Sequence, residues 1–306
     1  MEQIKVFSPA SVSNVCCGFD VLGFSIGCLG DELKISKSNK KEVFIKKIYG
    51  YSVPFQKEYN TASVAGQALV DFLGLNQGFE IEIKKNIKPG SGIGSSAASA
   101  VGAVYGINKL LNDPFSKQDL VKFAMQGELI SSNTAPADNV ASAMYGGLNL
   151  INNRENFTIK KLPTPKNLHA VIHHPLIEIK TSDARKILPK SINLRSVSDQ
   201  LSSIAGFIHS LHTNDFDLMK ISLKDYLIEK YRSDFIPLFN EIKNLAEINN
   251  ALCCSISGSG PSIFSLINNF DNANKLKLMI DKVYLNNNIK FRSYISGLNS
   301  KGVHII

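Results

Sequence analysis

The chain has 306 residues, 44% hydrophobic and 20% charged, with 34 basic against 26 acidic side chains and a net charge of +8. That length exceeds one typical domain and favours two domains sharing a cleft. The lysines are scattered, five residues are arginine and no nucleic-acid module is present, so neither a nucleic acid nor a membrane is an expected partner.

Residues 4–7 read as a strand that breaks at Pro9, followed by a Ser/Asn/Gly-rich segment over 11–18. Short strands are expected at 31–36 and 42–48, and Ala62, Ala65, Leu69 and Phe72 give 60–73 helical spacing. Phe79, Ile81 and Ile83 then alternate with Glu80, Glu82 and Lys84, the pattern of a half-buried strand. After it comes Lys88-Pro-Gly-Ser-Gly-Ile-Gly-Ser-Ser-Ala-Ala-Ser-Ala100, whose helical continuation stops at Asn112-Asp113-Pro114. Ser116 and Asp119 resemble a capping box opening another helix toward Glu128. Gly146-Gly147 leads to a strand over 148–151. The Asn- and Pro-containing stretch 152–167 is the expected junction, with a possible strand at 157–162. A strand over 168–174 ends at Pro175, and helices are expected at 198–212, 215–227 and 235–249. Residues 251–267 read as two apolar strands around Ser257-Gly-Ser-Gly-Pro261, with a helix over 271–283 and strands near Phe291 and Val303 to close. This mixture predicts an α+β chain in two halves. No apolar run approaches the roughly 18 residues needed to span a bilayer, and Met1-Glu-Gln-Ile-Lys lacks signal-peptide character, so a cytoplasmic location is expected. Five cysteines fit no zinc spacing and read as small apolar residues.

The glycine-rich stretch sits between a strand and a helix N-terminus. Backbone without side chains can approach an anion closely there, and the first helical N–H groups face it. It is not a Walker loop, because Gly94 is followed by Ser95 and Ser96 with no lysine. It is not a dinucleotide fingerprint either, since the spacing is Gly90-x-Gly92-x-Gly94. Taken alone, the loop is equally compatible with a plain turn capping a packed helix.

Three ordered motifs decide between those readings. Pro9-Ala-Ser-Val-Ser-Asn14 with Gly18-Phe-Asp20, the segment 89–99, and Ile256-Ser-Gly-Ser-Gly-Pro-Ser262 together resemble the GHMP kinases, over nearly the whole chain. Within them the match narrows to the homoserine kinase family. Asn14-Val-Cys-Cys-Gly-Phe-Asp20-Val-Leu-Gly resembles that family's Asn-Leu-Gly-Pro-Gly-Phe-Asp-x-Leu-Gly. Asp138-Asn139-Val-Ala with Gly146-Gly147, and Thr181-x-x-Ala184-Arg185-x-x-Leu188-Pro189, resemble two further segments, and Asp225, Arg232 and Pro237 echo a last one.

The resemblance implies a two-domain α+β GHMP kinase fold. Residues 1–160 would form an ATP-binding domain like the second domain of ribosomal protein S5, and residues 161–306 a ferredoxin-like domain. The implied reaction is ATP + L-homoserine → ADP + O-phospho-L-homoserine, a step of threonine biosynthesis, with Mg2+ as cofactor and a homodimer as a possible assembly. ATP would lie on Pro89, Gly90, Ser91, Gly92, Ile93, Gly94, Ser95, Ser96 and Ala97, with Asn60 near the base or ribose. Ser96 and Glu128 would hold the metal through hard oxygen ligands, with Ser96 also serving as helix N-cap. Asp20 suits an ammonium with Asn14 as helper, and Arg185 and Arg232 suit a carboxylate because guanidinium offers a planar fork. Gly258 and Ser259 would close over the substrate. Asp138, Asn139 and Thr181 would organise the reacting hydroxyl, with Asp138 as base or organiser. Two departures bear on substrate choice: Pro136 stands where the family commonly has histidine, and Cys16-Cys17 replaces Gly-Pro. A mevalonate- or shikimate-type kinase and a non-catalytic nucleotide-binding regulator are the competing readings.

Overall fold

Strand β1 (Gln3–Ser13) does not stop at Pro9 as expected. It pairs antiparallel with the long β2 (Leu22–Ser38), and the register shifts between Pro9 and Ala10. Pro9 pairs with Gly30 and Ala10 with Ile26, so residues 27–29 bulge out of β2 at that step. Proline has no N–H to give a ladder, and a bulge is where a strand tolerates it. The computed structural model describes residues 2–132, 137–152, 157–179 and 181–306.

The first sheet has seven strands. Beside β1 and β2 lie β3 (Val43–Gly50) and β4 (Gly78–Lys85), then β5 (Leu148–Asn152) and β6 (Thr158–Lys161), and finally β11 (His304–Ile305). The main path runs β11-β1-β2-β4-β3, with β5 on β2 and β6 on β5. Only the β3–β4 pair among these is parallel, and α1 (Thr61–Phe72) is the crossover that such a pair requires.

Three further helices, α2 (Ser95–Leu110), α3 (Lys117–Ser132) and α4 (Ala137–Tyr145), share the core of this layer. Helix α2 is buried nearly all round, as its run of Ala, Ser and Gly permits. A Cβ on Gly102 would stand 2.6 Å from Leu33 Cδ1, and one on Gly106 2.4 Å from Ile35 Cδ1. Small residues therefore let the helix lie directly on the sheet. At the start of α3 the expected box forms: Ser116 Oγ donates to Asp119 Oδ2 at 2.6 Å, and the Asp119 N–H donates to Ser116 Oγ at 3.3 Å.

The second sheet has the order β10-β7-β9-β8. Its strands, β7 (Leu168–Pro175), β8 (Cys253–Ile256), β9 (Ile263–Asn268) and β10 (Phe291–Gly297), pair antiparallel throughout. Leu168, Ala170 and Ile172 of β7 join Val12, Leu22 and Phe24 in a core that unites the two sheets. Val171 faces the opposite core, with α9 (Phe239–Ile248) and α10 (Phe270–Asn286). Two buried faces thus explain the continuous apolar run of this strand.

Two short helices escape periodicity, α4 and α5 (Thr181–Lys186). The helix expected at 215–227 is α7 (Phe216–Ser222), which follows α6 (Leu194–Thr213) and ends early. The Asp225 carboxylate is the reason. It accepts the N–H groups of Leu227 (2.8 Å), Ile228 (2.9 Å) and Glu229 (3.0 Å), which starts α8 (Glu229–Arg232). The helix expected at 235–249 begins only at Phe239, after a 3-10 turn at Ser233–Phe235.

The chain's last residues return to the first layer. The Gly147 N–H donates to Ser300 O at 2.9 Å, Val303 N–H to Ala143 O at 2.8 Å, and Ile306 N–H to Lys5 O at 3.0 Å. Val303 is buried in the first core. Cys16, Cys17, Cys253 and Cys254 are buried free thiols, and burial pushes Cys17 and Cys254 up to about 12. They behave as the apolar side chains expected. Among the described residues no helix is long and apolar enough to cross a membrane.

Candidate active site

A cavity of about 430 Å³ lies where the β1–β2 turn, the glycine loop, α3, α4 and the β8–β9 loop converge. The glycine loop forms one wall. Gly90, Gly92 and Gly94 all have positive φ, of 67°, 77° and 66°. Gly94 is the N-cap of α2 and supplies no side chain, which corrects the expectation that Ser96 caps the helix. The first N–H groups of α2 are thus left to a ligand, and the helix dipole adds positive potential there. A Cβ at Gly94 would meet Ser11 Oγ at 2.1 Å, and one at Gly92 would meet Gly260 O at 2.5 Å. Space as well as backbone conformation therefore requires glycine at both positions.

The β8–β9 loop is bolted to this wall. Ser257 Oγ donates to Gly92 O at 2.7 Å, and Ser262 Oγ donates to Ser91 O at 2.6 Å. Behind the loop lies Lys85, fully buried. Its Nζ donates to Asp31 Oδ2 (2.5 Å), Ser95 O (2.5 Å) and Ser99 Oγ (2.8 Å). Asp31 Oδ1 also accepts the N–H groups of Asn86 and Ile87. This satisfied ion pair fixes the first turn of α2 against β2 and β4. Lys85 lines the cavity and was not read from the sequence. It stands in an ordinary-looking Lys-Lys pair, and only the fold buries it.

The opposite wall is built on the β1–β2 turn. Asn14 and Asp20 both adopt left-handed backbone, with φ of 58°, as asparagine and aspartate tolerate best. The Asp20 N–H donates to Asn14 Oδ1 at 2.9 Å, and Asn14 Nδ2 donates to Gly258 O at 3.1 Å. Arg185 Nη2 reaches both Asp20 oxygens, at 2.9 and 3.2 Å. Arg232 is 3% exposed and donates through Nη1 to Gly258 O at 2.7 Å. Burial, with Arg185 close by, lowers Arg232 to about 10, so it stays charged at neutral pH. This wall therefore presents two cations and one anion within one cluster.

Two acids sit between the walls. Glu128 is 9% exposed, and its side chain is hydrogen-bonded to Ser96. Burial pushes Glu128 up to about 7, against the lowering effects of Ser96 and the Lys85 charge. Asp138, 1% exposed, is likewise pushed up to about 7, by burial first and the Asp20 charge second. Its carboxylate accepts from the Asn139 N–H at 2.8 Å and from the Asn14 N–H. Asn139 is held by both sides of its amide: Ser11 Oγ donates to its Oδ1 at 2.8 Å, and its Nδ2 donates to Ser13 Oγ at 3.0 Å.

The raised Asp138 has a consequence for stability. An unfolded aspartate ionises near 3.8, whereas the folded one holds its proton up to about 7. The folded protein thus binds more protons between those values, and stability falls as pH rises through that window. Asp138→Asn removes the buried charge and keeps an acceptor. We expect its Tm to exceed that of the parent by several degrees at pH 8, with the gap closing toward pH 5. Thermal melts at both pH values check this, and an equal or lower Tm at pH 8 refutes it.

Comparisons with known proteins bear on this geometry. The family model for the GHMP kinase N-terminal domain matches residues 60–147, and that for the GHMP kinase C-terminal domain matches 207–286. The homoserine kinase of Chlorobium phaeobacteroides (strain BS1) is 35% identical over 100% of both chains. That of Chloroherpeton thalassium is 40% identical over 87% of each. The crystal structure of homoserine kinase from Cytophaga hutchinsonii superposes with a TM-score of 0.96 at 44% identity, covering 100% of this chain and 98% of that one. The chain belongs to the homoserine kinases of the GHMP family.

As a GHMP kinase it has the two-domain α+β fold that the motifs implied, and ATP is its co-substrate. Most residues anticipated for this kinase line this cavity. Asn14, Asp20, Arg185, Arg232, Gly258 and Ser259 lie together with Asp138 and Asn139. Pro89, Gly90, Ser91, Gly92, Gly94, Ser95, Ser96, Asn60 and Glu128 also line it. Ile93 and Ala97 do not: both side chains are buried in the cores, so these two positions have only backbone to offer a nucleotide. Asn60 spends its amide locally, accepting from the Ala62 N–H at 3.0 Å and donating to Pro54 O at 2.7 Å. Thr181 opens α5, but its side chain and all of Pro136 lie outside the described residues. Sequence reasoning also missed Val53, Pro54, Tyr59, Ile130 and Ile179, apolar and aromatic residues that also line the cavity. They come from three separate segments, and no local pattern joins them.

Proposed function

We infer that this chain transfers the γ-phosphoryl group of ATP to the side-chain hydroxyl of L-homoserine, giving O-phospho-L-homoserine for threonine biosynthesis. One observation carries the reading. The cavity joins an uncapped helix N-terminus at one wall to a zwitterion-sized set of charges, Asp20, Arg185 and Arg232, at the other. The first suits a triphosphate and the second an amino acid.

In this reading the triphosphate lies along the glycine loop and the N–H groups of α2. The apolar stretch with Val53, Pro54 and Tyr59 takes the base, next to Asn60. Asp20 and Asn14 take the substrate ammonium, Arg185 and Arg232 the carboxylate, and Gly258 and Ser259 pack over the bound amino acid. Asp138, Asn139 and Thr181 orient the hydroxyl. A carboxylate pushed up to about 7 is also matched to accept a proton at neutral pH. Positioning and charge neutralisation do most of the work in phosphoryl transfer.

Ser96 and Glu128 suit a Mg2+ ion, because a hydroxyl and a buried carboxylate raised by desolvation favour a hard cation beside them. When bound, it neutralises phosphate charge. Among the described residues no group of three or more acids, histidines or cysteines could hold a metal alone. Such a sparse set fits an ion completed by phosphate oxygens and water. Residues 1–160 and 161–306 form the two functional halves in this reading, and a homodimer is the assembly to check by sedimentation.

A substrate panel with ADP detection tests the assignment. L-homoserine should be turned over with Mg2+-ATP, and mevalonate should not. Mevalonate has no ammonium to offer Asp20. Robust turnover of mevalonate without homoserine would refute the assignment. ATP binding with no turnover of any hydroxylated substrate would favour a regulator.

A further inference from the structure

Phe19 lies inside the Gly18-Phe-Asp20 motif with no role of its own there, yet both arginines of the cavity lie close to its ring. The guanidinium carbon of Arg185 stands 5.7 Å from the ring centroid and that of Arg232 stands 5.6 Å away. Both distances lie within the range at which the ring quadrupole attracts a cation. The arginines themselves repel: Arg185 is one of the charges that lower Arg232. One aromatic ring close to both cations offsets part of that repulsion, alongside the Asp20, Asp225 and Asp138 charges that act on Arg232.

The ring is placed by backbone. Phe19 and Asp20 form the tip of a turn in which the Val21 and Leu22 N–H groups both donate to Gly18 O, at 3.1 and 2.9 Å. Phe19 is half-buried and is not among the residues that line the cavity, whereas both arginines are. The ring therefore supports the guanidinium groups without meeting what they bind. Arg232 is further tied to Gly258 O. Arg185 has its Nη2 on Asp20, while its buried Nε has no hydrogen-bond partner. The Arg185 head is thus anchored by Asp20, and the ring is a second contact that orients it.

We propose that Phe19 is a positioning residue that sets the two guanidinium groups as one preformed fork for the substrate carboxylate. This rests on the homoserine kinase reading given above. In the empty site Asp20 holds Arg185. An incoming zwitterion offers its ammonium to Asp20 and its carboxylate to the arginines, so the Asp20–Arg185 pair is exchanged for two new ones. Phe19 keeps Arg185 in place through that exchange.

The test compares the parent, Phe19→Leu and Phe19→Tyr. We measure kcat, KM for L-homoserine and KM for ATP. We also measure Ki for the amino diol in which a hydroxymethyl group replaces the carboxylate. Phe19→Leu should raise homoserine KM roughly tenfold, the loss of two exposed-to-buried cation–ring contacts. It should move ATP KM and the amino diol Ki far less. Phe19→Tyr, which keeps the ring, should restore homoserine KM to within about twofold of the parent. Three results overturn the proposal: an unchanged homoserine KM in Phe19→Leu, an equal rise in KM and in the amino diol Ki, or a failure of Phe19→Tyr to rescue. The parent's own turnover separates the two claims. No homoserine turnover overturns the functional reading and this proposal together, whereas normal parent turnover with an unaffected Phe19→Leu overturns this proposal alone.

Discussion

Glu128→Gln is expected to lower kcat by a factor of about 10² to 10³, the range seen when a group that stabilises transition-state charge is removed. It should also raise the Mg2+ concentration needed for half-maximal rate. Glutamine keeps the shape of the side chain and can still meet the Ser96 hydroxyl, so the change isolates the charge. Burial already works against that charge, since it pushes the carboxyl up to about 7 while Ser96 and Lys85 oppose the rise. A buried carboxylate in this position needs a cation to justify its ionised form. The neutral variant should therefore be at least as stable as the parent at pH 8. Steady-state rates over a Mg2+ titration, with thermal melts alongside, check all three outcomes. Parent-like kcat and parent-like Mg2+ dependence would remove Glu128 from the metal site. A large fall in Tm would instead mark it as a packing residue.

Arg232→Ala should raise homoserine KM by about 10² to 10³, while ATP affinity changes little. Loss of one partner from a buried, hydrogen-bonded charge pair is worth about 2–5 kcal/mol. Arg232 is nine-tenths or more out of solvent at 3% exposure, and its Nη1 also fixes Gly258 O at 2.7 Å. Truncation thus removes a charge for the carboxylate and frees the loop that packs over the substrate. Arg232→Lys should recover only part of the loss, because an ammonium cannot make the planar fork. Initial rates at varied homoserine and varied ATP separate these effects. An unchanged homoserine KM would show that the carboxylate is bound elsewhere.

The fold was legible wherever one segment carried its own pattern. Alternation at Phe79, Ile81 and Ile83, the capping box at Ser116, and the glycine loop before α2 are local signals, and the strands and helices stand where they indicate. Boundaries failed where a distant or unpaired group decided them. Pro9 sits inside a strand because a bulge three residues long lies across from it on β2. The helix expected to run through 227 stops at Ser222 because the Asp225 carboxylate starts a new one. The candidate site divides the same way. Motif spacing brought Asn14, Asp20, Ser96, Glu128, Asp138, Arg185 and Arg232 to one cavity. Lys85 lies in no motif, and Phe19 lies in one without a role of its own. Their importance comes from what the fold sets beside them, Asp31 and Ser99 in one case and two guanidinium groups in the other.

The return of residues 300–306 to the first layer bears on how the chain is made. The ribosome delivers the N-terminal half first, and domains generally fold in that order. Here the first sheet lacks its β11 edge, and its core lacks Val303, until residues 303–305 emerge. The first layer is thus completed only after every described strand of the other sheet has been synthesised. Residue 306 then lies beside the first strand, through the hydrogen bond that the Ile306 N–H donates to Lys5 O.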